Sequence, residues 1–172
     1  MAGFSTKTFL KHDDYMTPKY AWENIQHLIP KEKVIWESFY GDGKSGDDLK
    51  SLGFNVIHEP IDFFDDETLP VYDILISNPP FSKSKAVFQR LKELGKPFII
   101  IMPSSKICTS YFRETFKDEK ETPLQIIIPR KRIHFTKLVD GKKIEGRKDA
   151  CNFDCFYYCW KMNLERDITW LI

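Results

Sequence analysis

The sequence has no apolar run approaching the roughly 20 residues that a membrane-spanning helix needs. It also has no excess of one charge, because 26 Lys and Arg residues against 25 Asp and Glu residues give a net charge of +1. The first residues, Met1 to Phe4, lack the basic start and apolar block of a secretion signal. We therefore expect no membrane span and an intracellular, reducing location, cytoplasmic or nuclear. A nucleic-acid interface on such a chain would have to be a local basic patch.

Cysteine is scarce, with four in 172 residues, and without an export signal we expect all four to be reduced. Cys151, Cys155 and Cys159 are spaced as on a helix, but the aromatic residues between them favour a strand. Alternate residues of that strand would form a buried stripe of cysteines and aromatics. The spacing fits neither paired zinc ligands nor an iron–sulfur triplet. We therefore expect buried thiols and no metal.

The alternation of apolar segments predicts the fold class. Strands are predicted at 34–39, 54–57, 74–77, 98–102 and 124–128, and helices at 19–28, 46–52, 84–94 and 111–116. Strands separated by short helices indicate a mostly parallel sheet in a three-layer α/β/α fold. The length fits one domain, so we expect a flexible arm at 1–14 and a single domain at 15–172.

The stretch from Ile74 to Phe81 is the strongest candidate site. Pro79 and Pro80 end its short strand in a rigid turn, at the strand end where open α/β sheets bind ligands. The Asn78 side-chain oxygen and a backbone carbonyl can accept both hydrogens of an exocyclic NH2 group, while Phe81 can stack on a planar base. This pattern predicts chemistry at an amine. A Pro-Pro loop without function is the alternative.

A second candidate is the turn Glu37-Ser38-Phe39-Tyr40-Gly41-Asp42-Gly43, between a predicted strand and helix. Glycines there permit a tight turn and close approach of a ligand to the backbone. Gly43-Lys44-Ser45 is not a phosphate-binding P-loop, because that motif needs a glycine at position 38, which is serine. A plain turn is the alternative.

In chain order, Tyr15-Met16-Thr17-Pro18, the Glu37 turn, Asp62-Phe63 and Asn78-Pro79-Pro80-Phe81 resemble the motifs of S-adenosylmethionine-dependent adenine-N6 DNA methyltransferases, especially the small phage and virus type. The resemblance covers about residues 15 to 160. It implies a Rossmann-like methyltransferase fold, with catalytic residues Asn78, Pro79, Pro80 and Phe81. The predicted cofactor contacts are Tyr15, Thr17, Pro18, Glu37, Phe39, Gly41, Gly43, Glu59, Asp62 and Phe63. Among them, Glu59 is the acid at a strand end that is the candidate for binding the ribose.

The chain departs from this pattern between Glu59 and Asp62, where many methyltransferases have a further helix and strand. We therefore expect a compacted nucleotide half. The division of labour between the two acids stays open.

The main basic stretch runs from Pro129 to Phe135 and continues from Lys142 to Lys148. Cations for phosphates and an aromatic ring for an unstacked base are what nucleic-acid binding needs. Arg130, Lys131, Arg132 and Phe135 are therefore the predicted substrate contacts. A solvated charged surface is the alternative.

The function implied is methyl transfer from S-adenosylmethionine to the N6 amine of an adenine flipped out of DNA, because a stacked base cannot reach a pocket. DNA is expected ahead of RNA as the partner, and a homodimer or heterodimer is compatible with a chain too short for a separate target-recognition domain. RNA amino methyltransferases, protein-glutamine methyltransferases and a non-catalytic nucleic-acid-binding subunit are the alternatives.

Overall fold

The computed structural model describes residues 15–139, 142–143 and 153–172. The strands are β1 (Tyr15–Met16), β2 (Val34–Trp36), β3 (Asn55–Ile57), β4 (Ile74–Ser77), β5 (Phe98–Pro103), β6 (Gln125–Ile128), β7 (Thr136–Val139), β8 (Lys142–Lys143), β9 (Cys155–Trp160) and β10 (Ile168–Trp170). The helices are α1 (Lys19–Glu23), α2 (Lys44–Ser51), α3 (Ser84–Leu94) and α4 (Ser110–Phe116). The predicted arm at 1–14, Cys151, Arg147 and Lys148 lie outside the described residues.

Seven strands form the main sheet, in the order β10-β6-β9-β5-β4-β2-β3. All neighbours are parallel except β9, which runs antiparallel between β5 and β6. The carboxyl ends of the six parallel strands therefore meet at one edge, together with the start of β9. This edge carries the loops that contain Glu37, Asn78 and Arg130.

The sheet is covered on both faces, and β5 shows why, since all six of its residues are buried. Its residues Ile99 and Ile101 pack with α1 and α2, whereas Phe98, Ile100 and Met102 pack with α3 and α4. Alternate residues of a strand point to opposite faces, so an unbroken apolar run fits a strand between two helical layers. The predicted Rossmann-like, three-layer α/β/α fold is confirmed.

The connection from β3 to β4 is short and irregular, because residues 58–73 contain no helix or strand. As a result β3 is the edge strand of the sheet and β2 pairs directly with β4. The compacted nucleotide half predicted from the sequence is confirmed.

One predicted helix, at 19–28, is wrong in its extent: α1 ends at Glu23 and a separate 3₁₀ turn follows. The Ala21 carbonyl would accept from the Ile25 amide in a continuing α-helix. It is bonded instead to the buried Tyr157 hydroxyl, at 2.7 Å, and the Ile25 amide turns to the Trp22 carbonyl. A tertiary hydrogen bond thus ends the helix.

Other details also differ from the prediction. The strand at 34–39 ends at Trp36, and the exposed edge strand β10 was not predicted. The cysteine stripe is confirmed for its described members, since Cys155, Tyr157 and Cys159 pack into one core and their neighbours Tyr158 and Trp160 into the other. Within the described residues, none of the helices has the length and apolar character needed to cross a bilayer.

Candidate functional site

A narrow cleft at the carboxyl edge of the sheet brings three of the predicted motifs together. It lies where β1, the turn after β2 and the end of β4 meet. The residues that line it are Tyr15, Met16, Thr17, Glu37, Phe39, Tyr40, Gly41, Asp42, Ser45 and Asn78. All of these except Ser45 lie within the predicted motifs. Met16, Tyr40 and Asp42 belong to those motifs but were not themselves predicted as contacts.

The side chain of Asn78 is held in one orientation. Its amide Nδ2 donates to the Tyr15 backbone carbonyl, at 2.9 Å. A carbonyl can only accept, so the NH2 end must face Tyr15. The other end, Oδ1, is buried and has no hydrogen-bond partner among the described residues. A buried acceptor without a partner is unusual and costs free energy. Asn78 therefore offers an oriented acceptor at the cleft.

The neighbouring turn is fixed from both sides. The Ser84 hydroxyl donates to the Phe81 carbonyl, and Phe81 opens a short 3₁₀ turn that leads into α3. On the other side, Tyr15 is held by antiparallel pairing of β1 with β7, where it lies opposite Lys137. The amide of Asn78 and the ring of Phe81 thus have little freedom relative to each other.

Four rings, which we call the aromatic cluster, adjoin this turn: Tyr15, Phe81, Phe135 and Phe153. All six pairs among them have ring centroids 5.2 to 6.3 Å apart. Tyr15 and Phe81 are nearly parallel, with 21° between their planes, and the other rings meet Phe81 edge-on. Such a cluster is a surface on which a planar heterocycle can stack.

The structure places Phe135 beside Phe81, although the two predicted residues are far apart in the sequence. Phe135 is only 3% exposed, because its ring packs in the aromatic cluster; its predicted contact with substrate stays a prediction. Pairing of β7 with β1 is the cause, because it draws this segment onto Tyr15. Phe153 was not predicted as a site residue; the sequence placed it inside the predicted strand of cysteines and aromatics.

The turn after β2 has the geometry that its glycines predict. Gly41 and Gly43 have φ values of +57° and +88°, in the left-handed region that glycine tolerates without strain. The Gly43 amide donates to the Tyr40 carbonyl, at 2.9 Å, and the Asp42 carboxylate accepts from the Lys44 amide, at 3.0 Å. The turn is therefore rigid and leads directly into α2.

Beneath this turn, Glu37 forms a buried polar group with His58 and Ser77. Glu37 is 1% exposed; its Oε2 lies 3.0 Å from His58 Nε2, and its Oε1 accepts from the Ser77 hydroxyl. The Tyr40 ring stacks on the imidazole, with 4.6 Å between centroids. Both carboxylate oxygens thus meet groups of the protein itself. A direct contact of Glu37 with a cofactor stays a prediction, while its visible role is to join the ends of β2, β3 and β4.

Burial and pairing shift the pKa values of both titrating side chains, Glu37 and His58. Burial raises the pKa of the Glu37 carboxyl, and its bonds to His58 and Ser77 oppose that shift only in part. For His58, burial alone would lower the pKa, but the hydrogen bond and charge of Glu37 outweigh it and raise the pKa, against the opposing charge of Lys50. His58 is the group that sequence reasoning overlooked, although a histidine directly after a strand at this edge was visible.

These pKa shifts predict that the stability of the protein falls as pH rises. A group with a raised pKa in the folded state contributes stability that is fully present below its ordinary pKa. For His58 that ordinary value is 6.5, so its contribution is lost as pH rises through the higher folded value. Glu37 acts in the same direction, starting from its ordinary 4.5. We expect the melting temperature to decline more steeply above pH 6.5 in the wild type than in His58→Gln.

Thermal unfolding between pH 5.5 and 9 measures this difference. His27→Gln, which removes an exposed histidine, is the matched control and should keep the wild-type profile. Parallel profiles for the wild type and His58→Gln would show that this imidazole does not bind a proton more tightly in the folded state.

Five predicted cofactor contacts do not line the cleft: Pro18, Gly43, Glu59, Asp62 and Phe63. Glu59 is exposed. The Asp62 carboxylate accepts from the Phe64 amide, at 3.0 Å, within its own turn. The Phe63 ring is fully buried and packs against Phe39, with 4.8 Å between centroids. The roles of all five in binding stay predictions, and the Pro18 carbonyl accepts from Ala21 at the start of α1.

The predicted cations lie after β6, at the same edge of the sheet. Arg130 and Lys131 are exposed. Arg132 is bound to Asp154 through two hydrogen bonds, at 2.7 and 3.1 Å, and this pairing lowers the pKa of the Asp154 carboxyl. Among the described residues there is no group of three or more His, Cys, Asp or Glu side chains that could hold a metal ion.

Similarity to known proteins is limited to solved structures: no family model matches the sequence, and no curated protein is similar to it. A dimethyladenosine transferase from Plasmodium falciparum gives a TM-score of 0.48 at 11% identity, over 84% of this chain and 62% of that one. A precorrin-6y C5,15-methyltransferase from Geobacter metallireducens GS-15 gives 0.47 at 13%, over 89% and 98%. A putative class I S-adenosylmethionine-dependent methyltransferase from Listeria monocytogenes gives 0.49 at 12%, over 95% and 66%.

This chain therefore spans less than two thirds of the Plasmodium and Listeria chains. Since all three TM-scores lie below 0.5, these likenesses carry no argument about substrate or mechanism.

Proposed function

We propose that this protein is a methyltransferase that moves a methyl group from S-adenosylmethionine to the N6 amine of an adenine flipped out of DNA. The observation that carries the proposal is the unpartnered Oδ1 of Asn78, held at the cleft by the bond from Nδ2 to the Tyr15 carbonyl. An exocyclic amine can supply the hydrogen-bond donor that this oxygen lacks. The aromatic cluster beside it suits the planar ring that carries the amine.

The cleft encloses about 30 Å³, so S-adenosylmethionine would fit only if the residues around it moved apart. S-adenosylmethionine supplies an electrophilic methyl group on a sulfonium, together with a charged amino acid end and polar ribose. The Asp42 carboxylate and the Thr17 and Ser45 hydroxyls line the cleft and can meet those polar groups. At Gly41 no side chain projects, and the glycine turn lets a ligand approach the backbone. Thr17, Gly41, Asp42 and Ser45 are the residues that would hold the cofactor.

The protein's part in the reaction is to position the amine. Asn78 Oδ1 accepts one N–H of the amine, and the Pro79 carbonyl accepts the other. These two bonds draw the nitrogen lone pair out of conjugation with the ring and fix its direction. Phe81 stacks on the base and prevents its rotation. Orientation and preorganised acceptors of this kind supply acceleration without a covalent enzyme intermediate.

The direct test is methylation with isotopically labelled S-adenosylmethionine. The protein is incubated with single-stranded and duplex DNA and with RNA, and the nucleosides are then analysed by mass spectrometry. We expect labelled N6-methyl-2′-deoxyadenosine from the DNA arms. Label found only in RNA would move the substrate to RNA, and label on guanine would contradict adenine. No label in any arm, from protein that binds the cofactor, would reject the nucleic-acid methyltransferase.

A further inference from the structure

A groove distinct from the cleft runs along the outer end of the same edge of the sheet. It encloses about 650 Å³ between α1, the segment after β6 and the residues at and after β10. This volume is in the range of pockets that bury a ligand the size of a nucleotide. The lining residues are Tyr20, Asn24, His27, Arg130, Lys131, Arg132, His134, Thr169, Trp170, Leu171 and Ile172.

The charge of this groove has one sign, because three of the lining side chains are Arg or Lys and none is Asp or Glu. Among the described residues, no carboxylate pairs with Arg130 or Lys131, and both are exposed. Arg132 is aligned by its two bonds to Asp154. In a chain whose net charge is only +1, this local excess favours a polyanion.

Trp170 adds an aromatic platform to the cations. It is 69% exposed, whereas Trp22, Trp36 and Trp160 are at most 2% exposed. A second hollow of about 340 Å³ shares Trp170, Lys131 and Arg132 with the groove and is also lined by Asp154. The indole thus borders two concave spaces. Alternation of cations with a stacking surface is the pattern by which single strands are bound without sequence preference.

The groove continues towards the aromatic cluster. His134, which lines the groove, directly precedes Phe135, whose ring contacts Phe81. The His134 amide donates to the Tyr20 hydroxyl, at 2.7 Å, and this bond fixes the segment between groove and cluster. The segment that lines the groove is thus continuous in sequence with the aromatic cluster.

We propose that this groove binds single-stranded DNA next to the target adenine, with one base stacked on Trp170 and its phosphates on Arg130 and Lys131. The assignment of this DNA as a substrate flank rests on the proposed methyltransferase function. Binding to the groove itself does not, because it is measured without cofactor and without methyl transfer. Failure of the two proposals is therefore distinguishable.

The test follows tryptophan quenching and fluorescence anisotropy with a labelled 12-nucleotide single-stranded DNA. Because Trp170 is the exposed tryptophan, acrylamide should quench it selectively, and the bound DNA should protect it. Trp170→Ala should weaken binding by about 5- to 150-fold, the usual effect of removing one stacking platform, while Trp170→Phe retains most of the affinity. Ile168→Ala, on the same strand but outside the groove, is the control and should bind as the wild type does.

The cations are tested by the salt dependence of the same binding. Arg130→Ala with Lys131→Ala should reduce the slope of log K against log salt by up to about 1.4, since each phosphate that a cation neutralises on a single strand adds about 0.7. Arg113→Ala with Lys117→Ala removes the same charges from α4 and the residue after it, on the opposite face of the sheet, and should leave the slope unchanged. Circular dichroism of each variant excludes misfolding as the cause.

Three results would overturn the proposal. Equal slopes for the two double variants would place the phosphates elsewhere. An RNA of the same sequence that binds tenfold more tightly would remove the assignment to DNA. Protection of Trp170 by raised protein concentration, without DNA, would make this surface a contact between copies of the chain.

Discussion

Asn78→Ala is expected to slow methyl transfer by about a hundredfold or more, the usual cost of removing one preorganised polar group from an active site. The variant loses the Oδ1 acceptor but keeps the turn, because Pro79 and Pro80 fix the backbone there. Loss of the bond to the Tyr15 carbonyl should lower the free energy of unfolding by about 1 kcal/mol. Cofactor affinity should stay close to that of the wild type. Single-turnover methylation of adenine-containing oligonucleotides measures the effect.

Asn55→Ala is the matched control, since it removes an amide from the exposed edge strand β3, away from the cleft. It should methylate at the wild-type rate. If Asn78→Ala retains a rate within threefold of the wild type while Asn55→Ala behaves as expected, Asn78 is a structural turn residue. The group that orients the amine would then have to be another residue.

Gly46→Ala is expected to have the largest effect on stability. A Cβ at this position would lie 2.0 Å from Cγ and Nδ1 of His58, far inside van der Waals contact. The imidazole has no direction in which to retreat, because Tyr40 stacks on it and Glu37 holds its Nε2. Overpacking of this kind costs about 1–3 kcal/mol. Alanine's better helix propensity returns at most about 1 kcal/mol.

A double-mutant cycle separates this clash from a general effect on the helix. Gly46→Ala should cost less stability in a His58→Ala background than in the wild type, since the added methyl group then has room. Asp47→Ala, on the same helix, should change the free energy of unfolding little. Urea unfolding of the four proteins gives the coupling energy. Additive losses in the cycle would mean that His58 is not what the methyl group meets.

Local sequence signals predicted the elements that the site is built on. A buried strand followed by Pro79 and Pro80, and a turn with Gly41 and Gly43, are determined by backbone stereochemistry over a few residues. Their place at one edge follows from parallel strand order, which the alternation of strands and helices indicates. These parts could therefore be predicted, and the structure brings them together.

Contacts set by strand register could not be predicted. His58 meets Glu37 only because β3 pairs with β2 in a register that places Ile57 opposite Trp36. The Tyr157 hydroxyl ends α1 from 136 residues away, and no local pattern records that bond. The burial of Phe135 likewise depends on a pairing between two short strands that are far apart in the chain.

The pairing of β1 with β7 links the orientation of the Asn78 amide to the position of the basic segment. The paired residues Tyr15 and Lys137 are more than a hundred residues apart in the sequence. The Tyr15 carbonyl, which orients the Asn78 amide, lies in a two-residue strand held opposite Lys137, and Lys137 follows the basic segment closely. Any ligand that favours the paired state therefore also favours the oriented amide, and by reciprocity a bound amine strengthens the pairing by the same free energy. If the basic segment binds the substrate as proposed, docking would therefore favour the oriented Asn78 acceptor.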